Sequence, residues 1–173
     1  MGKKKDNFAN WNVGLNYKLQ KLIGEGSYGQ VAQAIQVSTG KQVAIKRMPH
    51  VFNDVVVCRR MLREIVILRQ IQHSYMVKLI DLVIPDNHAD FNEIYMVLEY
   101  CESDLKKLFK SNMNIEVVHV ETILWNLLHA VKHMHECKVL HRDLKPANIL
   151  INEDCSIKIC DLGLARSFDG IGN

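Results

Sequence analysis

No apolar run in the sequence approaches the ~20 residues of a membrane-spanning helix, which argues against an integral membrane protein. Five cysteines are present, Cys58, Cys101, Cys137, Cys155 and Cys160. Their number is odd, their spacing is irregular and none forms a C-x-x-C pair, so neither a disulfide framework nor a zinc site is indicated. Reduced thiols in an intracellular compartment are expected, hence a cytoplasmic protein, with the nucleus also open to it. A secretory signal is missing too, because the N-terminus has no apolar core. Met1-Gly2-Lys3-Lys4-Lys5 offers a glycine for myristoylation, but Asp6 stands where that motif wants Ser or Thr, and a solvated basic tail is the expectation. Charge of one sign is scarce: Lys+Arg 22 against Asp+Glu 19 leaves +3, too little to point to nucleic acid. Internal repeats and low-complexity segments are absent. What remains is a chain of 173 residues, 48% hydrophobic and 24% charged, an ordinary globular composition. The length suggests one domain, or one and a fraction. A compact chain of that size buries about 70% of its unfolded surface and needs no covalent or metal staple.

Residues 1–16 hold four asparagines and little periodicity, and read as a leader. Residues 17–48 alternate and are rich in strand formers, with turn signals at Gly24–Gly29 and Ser38-Thr39-Gly40. Three antiparallel strands are predicted, near 17–25, 29–37 and 41–48. Met61, Ile65, Leu68 and Ile71 repeat every three or four residues and predict a helix over 56–72. Strand character returns at 77–84 and 93–99, around a polar turn at Pro85–Asp90. Ser103-Asp104 can start a short helix through Lys110. A longer helix follows near 116–136, with Val117, Val120, Leu124, Leu127, Val131 and Met134 on one face. Short strands near 149–151 and 157–160 complete the pattern. The organisation is strand-rich first and helical second, changing over at residues 99–104.

Four motifs carry chemistry. Gly24-Glu25-Gly26-Ser27-Tyr28-Gly29-Gln30-Val31 matches G-x-G-x-x-G-x-V and joins two predicted strands, whereas the dinucleotide fingerprint opens a helix. Lacking Cβ atoms, such a loop can lie close over a polyphosphate, although glycine clusters also mark plain hairpins. Val43-Ala44-Ile45-Lys46 puts a lysine in an apolar strand, where burial is costly without a partner or ligand. The plain alternative is a stem that snorkels to water. Glu64, in Leu62-Arg63-Glu64-Ile65, could supply the partner. His141-Arg142-Asp143-Leu144-Lys145-Pro146-Ala147-Asn148 is the most specific string. Within one short loop Asp143 can accept a hydroxyl proton, Lys145 can offset phosphoryl charge, and Asn148 can offer an oxygen to a metal. Asp161-Leu162-Gly163 follows the strand Ile157–Cys160 and places a carboxylate at a strand end, suited to Mg²⁺ bridging phosphate oxygens.

With these four motifs in that order the chain resembles the eukaryotic protein kinases, from about Tyr17 to Arg166. The resemblance implies an α+β, bilobal fold: a complete antiparallel-sheet N-lobe at 17–98, a hinge at 99–104, and the start of a mainly helical C-lobe at 105–173. ATP and Mg²⁺ are the implied cofactors. Ile23 would contribute to the nucleotide site, and Gly24, Gly26 and Gly29 would cover the phosphates. Val31, Ala44 and Leu150 would sandwich the adenine. Lys46 would pair with Glu64 and reach the phosphates. Leu98 would be the gatekeeper, and the backbone of Glu99–Cys101 would bind adenine. Asp143 would act as catalytic base beside Lys145, with Asn148 and Asp161 on Mg²⁺. Lys145 follows the Ser/Thr form of the loop, so the implied substrates are proteins presenting Ser or Thr, and neither nucleic acid nor membrane is an implied partner. Ile23–Gly29, Leu62–Ile65 and Ser103-Asp104-Leu105 are similar to the mitogen-activated and cyclin-dependent group. Lys158-Ile159-Cys160-Asp161 and Leu140–Asn152 favour the mitogen-activated branch, which implies an upstream activating kinase; a cyclin-dependent type is the alternative.

Leu162 replaces the usual Phe, but as an apolar residue it can fill the same place. Asn173 lies 12 residues beyond Asp161, short of the activation segment with its T-x-Y site, the A-P-E motif and the further helices that the resemblance implies. A C-terminally incomplete kinase domain is therefore expected, with the Leu/Val face of the 116–136 helix exposed as an apolar patch. The competing reading is a nucleotide- or partner-binding fragment that transfers no phosphate. His119, His129, His133 and His135 find no metal partners in the sequence and read as satisfied or exposed side chains. Ser27 and Tyr28 read as an ordinary loop tip, where phosphorylation would repel ATP. Cys160 reads as a small buried residue, or as a reachable thiol.

Overall fold

Alternation of apolar residues at a period of two builds the first half of the chain into a sheet. The computed structural model describes residues 8–26, 29–84 and 91–168. The basic tail at Gly2, the loop tip Ser27-Tyr28 and the Pro85–Asp90 turn lie outside them. Strands β1 (Tyr17–Gly26), β2 (Gly29–Gln36) and β3 (Gln42–Pro49) form an antiparallel meander. Helix α1 (Val55–Gln70) follows, and then β4 (Leu79–Val83) and β5 (Glu93–Glu99) complete a five-stranded sheet in the order β1-β2-β3-β5-β4. Asp54 starts α1, its carboxylate accepting the Val56 N–H at 2.7 Å, as an N-cap does.

The remainder is β6 (Ser103–Asp104), α2 (Leu105–Lys110), α3 (Val117–Glu136), β7 (Val139–Leu140), β8 (Ile149–Ile151), β9 (Ile157–Ile159) and β10 (Arg166–Ser167). Asp104 caps α2 by accepting the Lys107 N–H at 2.9 Å. β8 and β9 form a tight hairpin to which β6 adds, and β7 pairs with β10. Among the described residues, no helix is long and apolar enough to cross a membrane.

The chain divides into two compact units. The first comprises residues 1–58 and 79–100, and the second residues 59–78 and 101–173. The core of the first is Val13, Tyr17, Ala34, Val43, Ile45, Tyr95 and Val97, all buried, with Trp11, Leu19 and Val83 packed against it. The described part of the leader is thus built into this core: Val13 is buried, and the Asn12 N–H donates to the Tyr95 hydroxyl at 2.9 Å. Trp11 lies against Tyr95 at 5.8 Å between ring centroids and under the Arg47 guanidinium, which pairs with Glu93 at 2.7 Å. The desolvated indole and the cation above it make the segment part of the unit.

The second unit includes most of α1 and the 71–78 loop, although the chain pattern changes only at 99–104. Hydrogen bonds explain the grouping. Val77 N–H donates to the Ile159 carbonyl at 3.0 Å, and Ile159 N–H donates to that of Tyr75 at 2.9 Å. Arg63 donates to the Gly163 carbonyl at 2.6 Å. Helix α3 buries Asn126, Ala130 and Met134, one i, i+4 stripe, and the Asn126 amide donates to the Cys155 carbonyl. Val117, Val120 and Leu124, which the periodicity assigns to the same face as Met134, are exposed, as are Trp125 and Leu128. The difference is one of phase: the six apolar positions spread around more of the helix than the packed stripe occupies.

Candidate functional site

Strand register decides which side chains of the first unit share a face. Val31 sits opposite Lys46, Lys46 opposite Met96, and Ala44 opposite Leu98. Val43, Ile45, Tyr95 and Val97 point into the core, so the alternation sends Ala44, Lys46, Met96 and Leu98, with Val31, to the other face. Gly24 pairs with Val31 at the end of that row, one residue after Ile23. Four of the expected nucleotide-site side chains, Val31, Ala44, Lys46 and Leu98, therefore meet on one sheet surface at the mouth of the glycine hairpin. Glu99 ends β5.

The three glycines differ. Gly29 has φ +140°, and a Cβ there would overlap the Arg47 carbonyl oxygen and lie 3.1 Å from its carbon. Only glycine fits, because the backbone of the neighbouring strand β3 fills the space. A Cβ on Gly26 meets nothing within 4 Å, and one on Gly24 touches only Val31 at an ordinary 3.7 Å. Among the described residues, nothing makes a steric demand at those two.

In the second unit the 141–148 loop is held by its own side chains. Asp143 N–H donates to Nδ1 of His141 at 3.2 Å, so that nitrogen is unprotonated. Nε2 then carries the proton and donates to the Cys160 carbonyl at 2.9 Å. This buried imidazole ties the loop to the strand end before Asp161. Lys145 Nζ meets Asp143 Oδ2 at 2.6 Å. Asn148 is buried, and its Nδ2 donates to both the carbonyl (2.9 Å) and Oδ2 (3.1 Å) of Asp143. The Lys145 hydrogen bond, with smaller help from its charge and from Asn148, holds the Asp143 carboxyl below the usual range, against a burial effect that acts upward.

The β8–β9 hairpin explains why Asn148 and Asp161 belong together although 13 residues apart. Ile149 pairs with Ile159, and Cys160 N–H donates to the Asn148 carbonyl at 3.0 Å. Asn148 and Asp161 thus leave the same end of one antiparallel pair. With both N–H groups of Asn148 turned to Asp143, its Oδ1 is the atom left for a cation. A carboxylate and an amide oxygen suit Mg²⁺, which takes few protein ligands and fills its shell with water and phosphate. No group of three His, Cys, Asp or Glu among the described residues could hold a metal ion without such help. Leu150 stands between buried Ile149 and Ile151 and so turns to the opposite side of the hairpin. The Cys160 thiol is half-buried against the Asn148 carbonyl at 3.5 Å.

Lys46 and Leu98 belong to the first unit, whereas Glu64, on the buried side of α1, Cys101, Leu150 and the catalytic-loop residues belong to the second. Leu162 is fully buried. Arg142 (φ 69°) and Asp161 (φ 63°) both adopt the left-handed backbone, uncommon outside glycine and a mark of functional loops. The motifs carry no sign of that geometry. A role for Arg63 escapes sequence reasoning as well. Burial first, then the charges of Arg166, Arg142, Arg60 and Arg59, pull its pKa down. This arginine cluster draws on helix, catalytic loop and β10, and only the fold assembles it.

Comparison with known proteins agrees with this geometry. Residues 17–172 match the model of the protein kinase domain. Over 161 residues, 93% of the chain, it is 44% identical to mitogen-activated protein kinase 10 and 43% identical to mitogen-activated protein kinase 15 of Oryza sativa subsp. japonica. Mitogen-activated protein kinase 16 of Arabidopsis thaliana is 42% identical over the same share. The chain spans 26%, 32% and 28% of those relatives' lengths, respectively. By that match the chain belongs to the protein kinase domain family, and it is a partial kinase domain similar to the mitogen-activated kinases.

Proposed function

We propose that this chain carries the nucleotide site and catalytic loop of a Ser/Thr protein kinase of the mitogen-activated type, which moves the γ-phosphoryl of MgATP to a protein hydroxyl. The observation that carries this reading is the Asp143–Lys145–Asn148 arrangement, with Asp161 at the end of the hairpin that Asn148 begins. In such a transfer Asp143 accepts a hydrogen bond from the substrate hydroxyl and takes its proton as the oxygen bonds to phosphorus. Its lowered pKa makes it a weak base, which suits a loose transition state in which the proton leaves late. Lys145 offsets charge on the phosphoryl oxygens, and His141 keeps the loop on the strand beside Asp161. Asn148 Oδ1 and the Asp161 carboxylate would hold Mg²⁺, whose chemistry is to neutralise the phosphate oxygens. By the family resemblance Lys46, paired with Glu64, would contact the α- and β-phosphates, with Gly24, Gly26 and Gly29 over them and Ile23, Val31, Ala44, Leu98 and Leu150 around the adenine.

Protein substrates with Ser or Thr, and an upstream activating kinase, belong to the same proposal. The arginine cluster around Arg63 supports the second: like charges held together are relieved by an anion such as a phosphorylated side chain. A reducing location, cytoplasmic or nuclear, is supported by five free cysteines. The alternative of nucleotide binding without transfer draws on the fraction of its relatives' length that the chain spans. One experiment separates them: ATP binding and phosphoryl transfer to a generic Ser/Thr acceptor, for the chain and for variants. Transfer that Lys46→Met and Asp143→Asn abolish, with ATP affinity largely kept in Asp143→Asn, supports the kinase reading. Binding with no transfer supports the alternative, and unchanged turnover in either variant overturns the assigned roles.

A further inference from the structure

Outside the catalytic loop, the second unit collects a second group of ionisable rings. His73 lies in the loop after α1, and His133 on α3. Their rings stack with centroids 4.3 Å apart and planes 19° apart. Tyr75 packs edge-on against His73 at 5.3 Å, and its backbone N–H donates to Nδ1 of His73 at 3.2 Å. His129 lies between Tyr75 (6.4 Å) and Trp125 (4.6 Å). The Cys137 thiol is 3.8 Å from Nε2 of His133.

Two imidazoles in face-to-face contact can stack when neutral. Protonation of both would set like charges face to face across the 4.3 Å stack. A proton on Nδ1 of His73 also removes the acceptor of the Tyr75 N–H. We propose that the His73–His133 stack is a pH-sensitive clasp, which holds the 73–77 segment on α3 while the His73 ring is neutral and loosens it when that ring is protonated.

The surroundings of His73 favour its neutral ring. Burial is the largest influence lowering the His73 pKa, followed by His133 and His129 on α3; Lys158 on β9 acts the same way. Glu136 on α3 acts oppositely, but it is exposed and shares its charge with Lys132 at 3.7 Å. What the clasp secures is specific: residues 75 and 77 bracket Ile159 with two hydrogen bonds, and Met76 and Val77 are buried.

The sign is fixed by linkage. A histidine whose folded pKa lies below its unfolded value costs the folded state stability as pH falls from about 6.5 through the folded pKa, by up to tenfold in the opening constant per pH unit for each proton taken up. Amide hydrogen exchange and histidine NMR titration of the 173-residue chain test this. After correction for intrinsic exchange, protection of the Tyr75 amide should fall several-fold between pH 7 and pH 5. Protection of the Asn12 amide, bound to Tyr95 in the other unit, should not. The His73 ring should titrate below 6.5, and His73→Phe should abolish the pH dependence of Tyr75 protection. A His73 midpoint at or above 6.5, or Tyr75 protection unchanged with pH in the native chain, overturns the proposal; neither reading requires the variant to fold.

Discussion

Replacing Gly29 by alanine should damage the fold far more than the same change at Gly26, although both belong to one glycine-rich motif. At Gly29 two costs combine. Its φ of +140° is a conformation that L side chains rarely adopt, and the added Cβ overlaps the Arg47 carbonyl and lies 3.4 Å from Met48 Cα. Backbone strain of ~1–3 kcal/mol and forced displacement of a packed neighbour at ~1–3 kcal/mol give a loss of about 2–6 kcal/mol. The obstacle is backbone in the middle of β3, so no side-chain rotation relieves it. At Gly26 the same atom meets nothing within 4 Å and no positive φ opposes it. There the reduced freedom of the unfolded chain should leave stability unchanged or raised by ~0.4–1 kcal/mol. For a chain of this size each kcal/mol moves the melting point by about 2–4 °C, so Gly29→Ala should melt roughly 4–24 °C lower. Urea and thermal unfolding followed by far-ultraviolet circular dichroism would measure both variants. Midpoints for Gly29→Ala within about 1 °C of those for Gly26→Ala would refute the assignment of Gly29 to hairpin packing.

Two further outcomes follow from burial. Leu162→Ala removes a fully buried side chain next to Asp161 and should cost ~2–5 kcal/mol in urea unfolding, whereas Leu162→Met should cost less than ~1.5 kcal/mol; equal losses would show the position to be loosely packed. Tyr17 and Tyr95 have pKa values pushed up to about 12, by burial first and then by their hydrogen bonds to Asp81 and Glu93. The folded chain keeps those phenolic protons while the unfolded chain loses them near 10, so stability should fall as pH rises from about 10 to 12. Ultraviolet titration of native protein should find these two phenols ionising last; ionisation near 10 in the folded chain would contradict the packing around them.

The legible part of this protein was local. β1, β2, β3, α1 and α3 fall within two residues of the elements that alternation and periodicity predict, because a half-buried strand or helix must carry its pattern in the chain. The kinase motifs were legible for a related reason: Asp143, Lys145 and Asn148 lie within six residues of each other, so their chemistry and their spacing are read together. What escaped was long-range. Trp11 and Val13 sit in an asparagine-rich leader with no period, and only the open face of the sheet gives them a place. α3 carries more apolar positions than it buries, and the choice of the Asn126-Ala130-Met134 stripe belongs to the elements packed against it.

By itself the sequence determined the family, the antiparallel strands of the first sheet and the strings proposed here for phosphoryl transfer, since each depends on a contiguous string or a short-range period. Only the tertiary structure decided which glycine the hairpin needs, that Asn148 and Asp161 leave one hairpin end, that Arg63 sits among arginines from three segments, and that His73 stacks on His133. Those facts depend on where residues distant in the chain come to rest. The absence of a long apolar run or a cysteine framework excludes other folds, but it carries no information about such contacts.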